Sequence, residues 1–232
     1  MQRIVAFTGA GVSAESGIDT FRDSGGLWDR YNIADVATPE AFARDPKTVL
    51  EFYNERRRKV LESEPNPAHQ ALAELEEAYE VVVVTQNIDD LHERAGSSKV
   101  LHLHGEIKKV RSSVDPELIY EVGEGGIELG QTCDKGSQLR PHVVWFGEAV
   151  PMLEKAALEI EQADILLVIG SSLNVYPAAG LVFYARPEAR KFLIDPKADE
   201  DGGAMEDFEL ISEKAGQGVP RIVERLMAKE VR

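Results

Sequence analysis

Apolar residues in this chain gather in short unbroken runs, separated by stretches with helical spacing. The runs lie at positions 4–8, 81–85, 165–169 and 192–194. Three of them are rich in β-branched residues and nearly continuous rather than alternating, as in strands of a parallel sheet buried on both faces. Helices are predicted between them. Asn66-Pro67, followed by 68–78, supplies an N-cap, a proline for the first helical position and a series of strong helix formers. Positions 152–163 and 219–229 read the same way. This alternation predicts an α/β fold, a parallel sheet covered by helices.

Two segments break the rhythm. Positions 34–64 look helical throughout, with Pro39 and Pro46 marking starts or breaks, and place no strand before the Asn66 helix. Positions 108–140 are rich in glycine and charge and carry no strong period. Both read as insertions, so 1–30, 66–107 and 141–232 are expected to form the sheet domain, and 31–65 with 108–140 a smaller lobe.

Length and composition narrow the class. The chain has 232 residues, 43% apolar and 29% charged, which suits one medium domain with a small insert. Cys133 stands alone, excluding an intramolecular disulfide framework and a cysteine-only metal site within one chain. With 41 Asp and Glu against 26 Lys and Arg, the net charge is −15, which disfavours nucleic acid and anionic membranes as partners. No apolar run approaches the roughly 20 residues of a membrane-spanning helix. The first strand meets a turn signal at Gly9 too soon for a signal peptide, so a soluble, cytoplasmic protein is expected. Nothing in the pattern sets an oligomeric state.

Candidate chemistry sits at the ends of the predicted strands. Gly9-Ala10-Gly11-Val12-Ser13-Ala14 satisfies G-x-G-x-x-G/A directly after the first strand, where backbone N–H groups can approach a pyrophosphate. A glycine turn serves packing equally well. An acidic residue closing a second strand about 20 residues on, as hydride-transfer enzymes carry, is absent; that region is loop-like and its Asp29 is badly placed. Gln86, Asn87 and Asp89 follow the 81–85 strand, where a ligand would be read, although Asn87 and Asp89 could instead cap the next helix. Leu101-His102-Leu103-His104-Gly105 alternates, so on a strand His102 and His104 share one face. His104, nearer the strand end, is the candidate base, with a hydrogen-bonded edge pair or a metal pair as the alternatives.

Taken together, the blocks are more specific. Gly9 to Ile18, then Thr20-Phe21-Arg22, Thr85-Gln86-Asn87-Ile88-Asp89, His104-Gly105 and Gly170-Ser171-Ser172-Leu173 with Val175-Tyr176-Pro177 resemble the sirtuin family of NAD-dependent protein deacylases. The resemblance implies a Rossmann-like NAD-binding domain. It implies that Gly9, Ala10 and Gly11 line the pyrophosphate, and that Phe21 and Arg22 belong to a loop over the nicotinamide ribose. By the same resemblance Gln86, Asn87 and Asp89 hold the nicotinamide and its ribose, and Gly170, Ser171 and Ser172 approach the phosphates and adenosine. Asn87 and His104 are implied catalytic residues, His104 as the general base. The implied substrate is an acylated lysine of a protein, and the implied products are nicotinamide and O-acyl-ADP-ribose. An NAD hydrolase or ADP-ribosyltransferase would use the same pocket, as would a non-catalytic NAD-binding module.

Arg140-Pro141-His142-Val143-Val144-Trp145-Phe146-Gly147-Glu148 resembles the family segment that pairs with the substrate peptide, which makes Val144, Phe146, Gly147 and Glu148 candidate contacts. The plainer reading is a core strand with Trp145 and Phe146 packed inside. Tyr53 and Arg56, three apart on a helical stretch, share a face, and an Arg fork beside a phenol suits a carboxylate at the end of an acyl chain. Arg57 and Arg58 follow, so a solvated basic face is the alternative. Tyr-x-x-Arg here resembles the class III sirtuins that remove succinyl and malonyl groups.

The chain also departs from the pattern. Most sirtuins carry four zinc-binding cysteines between the His104 and Arg140 segments, whereas this stretch holds only Cys133, with Ser112 about where the first is expected. A metal-free lobe is predicted, packed by Val110, Val114, Leu118, Ile119, Tyr120 and Leu129. Asp19 stands where many relatives have proline. Leu193 appears where an asparagine contacting the adenine ribose is common.

Overall fold

A computed structural model describes residues 1–20, 31–122, 125–201 and 206–230. In chain order its elements are β1 (Arg3–Thr8), α1 (Ile33–Val36), α2 (Pro39–Arg44), α3 (Pro46–Glu62), α4 (Pro67–Glu74), β2 (Glu80–Thr85), α5 (Leu91–Ala95) and β3 (Val100–His102). There follow β4 (Gly105–Ser112), β5 (Ile119–Glu121), β6 (Leu139–Val143), α6 (Leu153–Glu161), β7 (Ile165–Ile169), β8 (Arg190–Ile194), β9 (Phe208–Ile211) and α7 (Ala215–Glu230). Short 3₁₀ turns fill in, notably Ala10–Val12 and Ala178–Tyr184.

The Rossmann-like sheet has the order β3-β2-β1-β7-β8-β9, with every pairing parallel. Its strands are buried on both faces. Ile4, Ala6, Val81, Val83, Ile165 and Leu167 pack with α4 and α7, while Val5, Phe7, Val82, Val84, Leu166 and Val168 pack with α6 and the 178–184 turn. The chain leaves β1 for β2 on one side and returns to β7 on the other, so the strand order reverses beside β1. Ligands of open α/β sheets bind at such a reversal, beyond the strands' carboxyl ends. The turns after β1, β2 and β7 all open there.

The Asn66 helix starts as its sequence predicts. The Asn66 side chain accepts the Ala68 N–H at 2.9 Å, and His69 Nδ1 accepts the Asn66 N–H at 3.2 Å. The segment 34–64 is helical, in pieces divided where its prolines predict. Pro39 and Pro46 open α2 and α3, capped by Thr38 and Asp45, because proline suits the first turn and breaks a helix interior. The stretch 108–140 does contain strands. The antiparallel sheet β5-β4-β6 runs from 105 to 143, somewhat beyond the limits expected for the lobe. Val110, with Leu50, Ile127 and flanking Tyr120 and Leu139, forms its core, whereas Val114, Ile119 and Leu129 are exposed rather than packed inside. Edge strand β9 was not predicted; Glu209 and Leu210 in it face solvent.

Two further expectations change. Arg57 is not on a solvated face but is 1% exposed, its Nε donating to Ile107 O at 2.8 Å and Nη1 to Asn54 Oδ1 at 2.6 Å. Leu193 is fully buried between Val168 and Leu210 and does not line the cleft; Asp195, past the end of β8, does. No helix among the described residues is long and apolar enough to cross a membrane.

Candidate active site

The turns after β1, β2 and β7 meet over a cavity of about 680 Å³. The first and third are locked together without side chains. Gly9 N–H donates to Ile169 O at 2.9 Å, and Gly11 N–H to Gly170 O at 2.8 Å. A Cβ on Gly11 would lie 2.6 Å from Gly170 Cα, and one on Gly170, whose φ is +58°, 2.4 Å from Val12 N. The glycine motif therefore serves loop-to-loop packing, and the Gly9 and Gly11 amides are already spent on backbone carbonyls. What the glycines leave for a ligand is a side-chain-free floor.

Every described residue singled out as a site candidate lines this cavity. Gly9, Ala10, Gly11, Gln86, Asn87, Asp89, His104, Gly170, Ser171 and Ser172 occupy one part, and Tyr53, Arg56, Val144, Phe146, Gly147 and Glu148 the rest. Phe21 and Arg22 lie outside the described residues. Ser13, Trp145, Asp195, Lys197 and Lys214 also line it and were not among the candidates.

Ser13 is the hub of the inner polar wall. Its hydroxyl donates to Asp89 Oδ2 at 3.1 Å and accepts from Asn87 Nδ2 at 3.0 Å. Asp89 Oδ1 also takes the Leu91 N–H at 3.2 Å, so the helix-capping and the cavity-lining readings of Asp89 both hold. Burial pushes the Asp89 carboxyl above its ordinary range, while the Leu91 and Ser13 bonds oppose that. Gln86 Nε2 donates to Ser171 Oγ at 2.9 Å, tying the second turn to the third.

The two histidines do not share a strand, since β3 ends at His102 and Gly105 turns the chain with φ +79°. Their surroundings assign them different proton states. His104 Nδ1 lies 2.9 Å from the carbonyl of Gln86, which can only accept, so that nitrogen carries the hydrogen and Nε2 keeps a free lone pair. Burial lowers the His104 pKa below 6.5, only partly offset by this bond, so the ring is neutral at pH 7. His102 faces two acceptors, Asn87 O at 3.0 Å and Glu93 Oε1 at 2.7 Å. Burial lowers its pKa, but the Glu93 carboxylate outweighs it and the net shift is upward. Among the described residues no three His, Cys, Asp or Glu side chains are grouped to hold a metal ion, so the metal-pair alternative gains nothing.

At the other end, Trp145 is 2% exposed and inside as expected, but Phe146 is 41% exposed at the cavity mouth. The Glu148 carboxylate is pinned. It meets Arg140 Nη1 at 2.7 Å, accepts the Trp145 N–H at 2.8 Å and lies 3.3 Å from Arg111. Tyr53 is 3% exposed, and its hydroxyl accepts the Trp145 Nε1–H at 3.0 Å. Burial pushes the phenol up to about 12, so it stays protonated. Arg56 Cζ lies 5.9 Å from the Tyr53 ring centroid; burial lowers its pKa, with Asp89 and Asp19 opposing. Asp19 forms an ion pair with Lys59 at 2.7 Å, which ties the glycine-turn side of the cavity to α3.

Comparison with known proteins agrees with this geometry. The Sir2 family model matches residues 9–177. An NAD-dependent protein deacylase of Bacteroides thetaiotaomicron is 51% identical over 232 residues, covering 98% of this chain and 99% of its own length. One from Helicobacter pylori is 49% identical, covering 98% of each. The crystal structure of a Sir2 homologue in complex with NAD superposes with a TM-score of 0.87 at 43% identity, covering 98% of this chain and 90% of that one. A match over most of the cleft-bearing chain, together with near-complete alignment to such relatives, places the protein in a single family: the chain belongs to the Sir2 family, the sirtuins.

Proposed function

We propose that this sirtuin is an NAD-dependent protein-lysine deacylase that removes acetyl groups and also acidic acyl groups such as succinyl and malonyl. The observation that carries the reading is His104 in the cavity lining, its Nδ1 facing a carbonyl and its pKa lowered by burial. Its Nδ1–H is committed to Gln86 O, so Nε2 is the group able to take a proton from a hydroxyl. The residues present fit NAD: a side-chain-free floor at Gly9, Gly11 and Gly170, and amide, hydroxyl and carboxylate groups on Gln86, Asn87, Asp89, Ser171 and Ser172. Bound there, NAD supplies the ADP-ribose that accepts the acyl group, with nicotinamide and O-acyl-ADP-ribose as products. Asn87 and Asp89, both held by Ser13, orient the nicotinamide end. Val144, Phe146, Gly147 and Glu148 form the peptide side, Glu148 by fixing the backbone of Trp145 rather than by touching substrate. Tyr53 and Arg56 take the carboxylate of an acidic acyl chain.

The sheet domain and the smaller lobe are assigned as 1–30, 66–107 and 141–232 against 31–65 and 108–140, with the lobe free of zinc and the protein cytoplasmic. Support for the metal-free lobe comes from Cys133. Its thiol sits 3.2 Å from Ser112 Oγ and 3.1 Å from Ser137 Oγ, a hydrogen-bonded triangle in place of a thiolate cluster.

The test is an NAD-dependent assay over acetyl-, succinyl- and malonyl-lysine peptides with product identification. O-acyl-ADP-ribose in step with free lysine is expected; free ADP-ribose with the acyl-lysine intact would replace deacylation with NAD hydrolysis. Arg56→Met is expected to abolish succinyl turnover selectively, and undiminished succinyl turnover would remove the carboxylate assignment.

A further inference from the structure

We infer that Trp145 is a specificity-determining positioning residue, which orients the Tyr53 hydroxyl so that its hydrogen points toward the acyl carboxylate. The inference rests on the acyl-corner reading above and adds a residue to it. The indole N–H can only donate, so at the 3.0 Å contact the phenol oxygen must accept. That occupies a lone pair and leaves the phenol hydrogen for another acceptor. No described protein atom takes it, and Tyr53 lines the cavity together with Arg56, whose Cζ lies 5.9 Å from the phenol ring centroid. A ligand carboxylate, which only accepts, completes the set: it would receive the phenol hydrogen and the guanidinium hydrogens together.

The indole is held for this task from several sides. The Arg140 guanidinium lies 3.3 Å from its ring centroid and Phe42 packs against it at 5.2 Å. Arg140 is itself fixed, donating to Val143 O at 3.1 Å and to Glu148, whose carboxylate also takes the Trp145 backbone N–H. The direction of the Tyr53 hydrogen is thus set by the segment after β6, not by α3, on which Tyr53 stands. An acetyl group offers no carboxylate, so the arrangement matters only to acidic acyl chains.

The experiment is a double-mutant cycle read as the ratio of kcat/KM for succinyl- to acetyl-lysine peptides. Tyr53→Phe is expected to lower the ratio about tenfold, and Trp145→Phe about three- to tenfold, mainly through KM for the succinyl peptide. In the Tyr53→Phe background, Trp145→Phe should change the ratio less than about twofold, because the hydroxyl it orients is gone. An equal loss on both peptides, or an undiminished effect of Trp145→Phe in that background, overturns the inference and leaves the acyl corner intact. A ratio insensitive to Tyr53→Phe overturns the acyl-corner reading itself. Should Trp145→Phe not fold, benzothienylalanine incorporated at position 145 keeps the indole's shape, removes only the N–H, and must lower the ratio in the same way.

Discussion

His102 and His104 lie two residues apart, and the atoms facing their ring nitrogens set them to opposite tasks. His102 finds an acceptor at each nitrogen, Asn87 O and Glu93 Oε1, and the Glu93 carboxylate shifts its pKa upward against the cost of burial. His104 has one acceptor and a buried ring, so it stays neutral with Nε2 open. Removing a general base costs about 10²–10⁴ in rate, so His104→Ala should lose at least a hundredfold in kcat/KM while NAD binding persists. A base is active when unprotonated, and the His104 pKa is lowered, so the acid limb of kcat/KM should fall below pH 6.5. A pH profile of the free enzyme with its limb above 7 would contradict that assignment. For His102 the sign is reversed. A raised folded-state pKa adds stability that is complete below the unfolded value, near 6.5, and is lost as pH climbs through the folded value. Denaturant unfolding of His102→Gln should show that this pH-dependent part has gone.

Elements rather than single groups hold the nucleotide turns in place, and two glycines carry most of that constraint. Gly170→Ala would force a Cβ into the backbone at Val12 at a φ of +58°. A loss of about 2–4 kcal/mol and a raised KM for NAD are expected from thermal unfolding and kinetics, since the turns after β1 and β7 must separate. The small sheet makes a different demand. If the Ser112–Cys133–Ser137 triangle does the linking, treatment with a strong chelator should leave the unfolding midpoint unchanged and elemental analysis should find no stoichiometric zinc. A chelator-induced drop would show a metal in the lobe. These elements were not equally legible in the sequence. Parallel strands buried on both faces announce themselves as continuous apolar runs, whereas β4 and β5 each leave a face partly in solvent and β4 is irregular between Gly105 and Val110. The burial of Arg57 is legible in helical spacing: Tyr53, Arg57 and Val60 stand at i, i+4 and i+7, one inward stripe of α3. Leu193 lies inside β8, which is buried on both faces, whereas Asp195 lies past its carboxyl end, where the cleft opens. The Trp145–Tyr53 bond spans 92 positions, and no local pattern announces it.

Across the whole molecule, a net charge of −15 surrounds a cleft lined beside Tyr53 by a cation, Arg56. The two fields act on different parts of a substrate. Acylation leaves the lysine nitrogen uncharged and a succinyl chain adds a single carboxylate, so the long-range field acts mainly on the charged neighbours in the peptide, drawing in basic flanks and slowing acidic ones. On the proposed reading Arg56 acts at contact range on the acyl end, and its partial burial shields it from salt. Raising ionic strength shrinks the screening length from about 30 Å at 0.01 M to about 8 Å at 0.15 M, which removes the first effect well before the second. The kcat/KM for an acyl-lysine peptide with lysine and arginine flanks should therefore fall about three- to tenfold over that range. For a peptide with glutamate flanks it should rise or stay level. The succinyl-to-acetyl ratio, measured with one flanking sequence, should change by less than about twofold. Equal salt dependence for both flank types would remove any steering role for the acidic surface. A succinyl preference that collapses with salt would mean that the carboxylate is read at the open surface and not beside Tyr53.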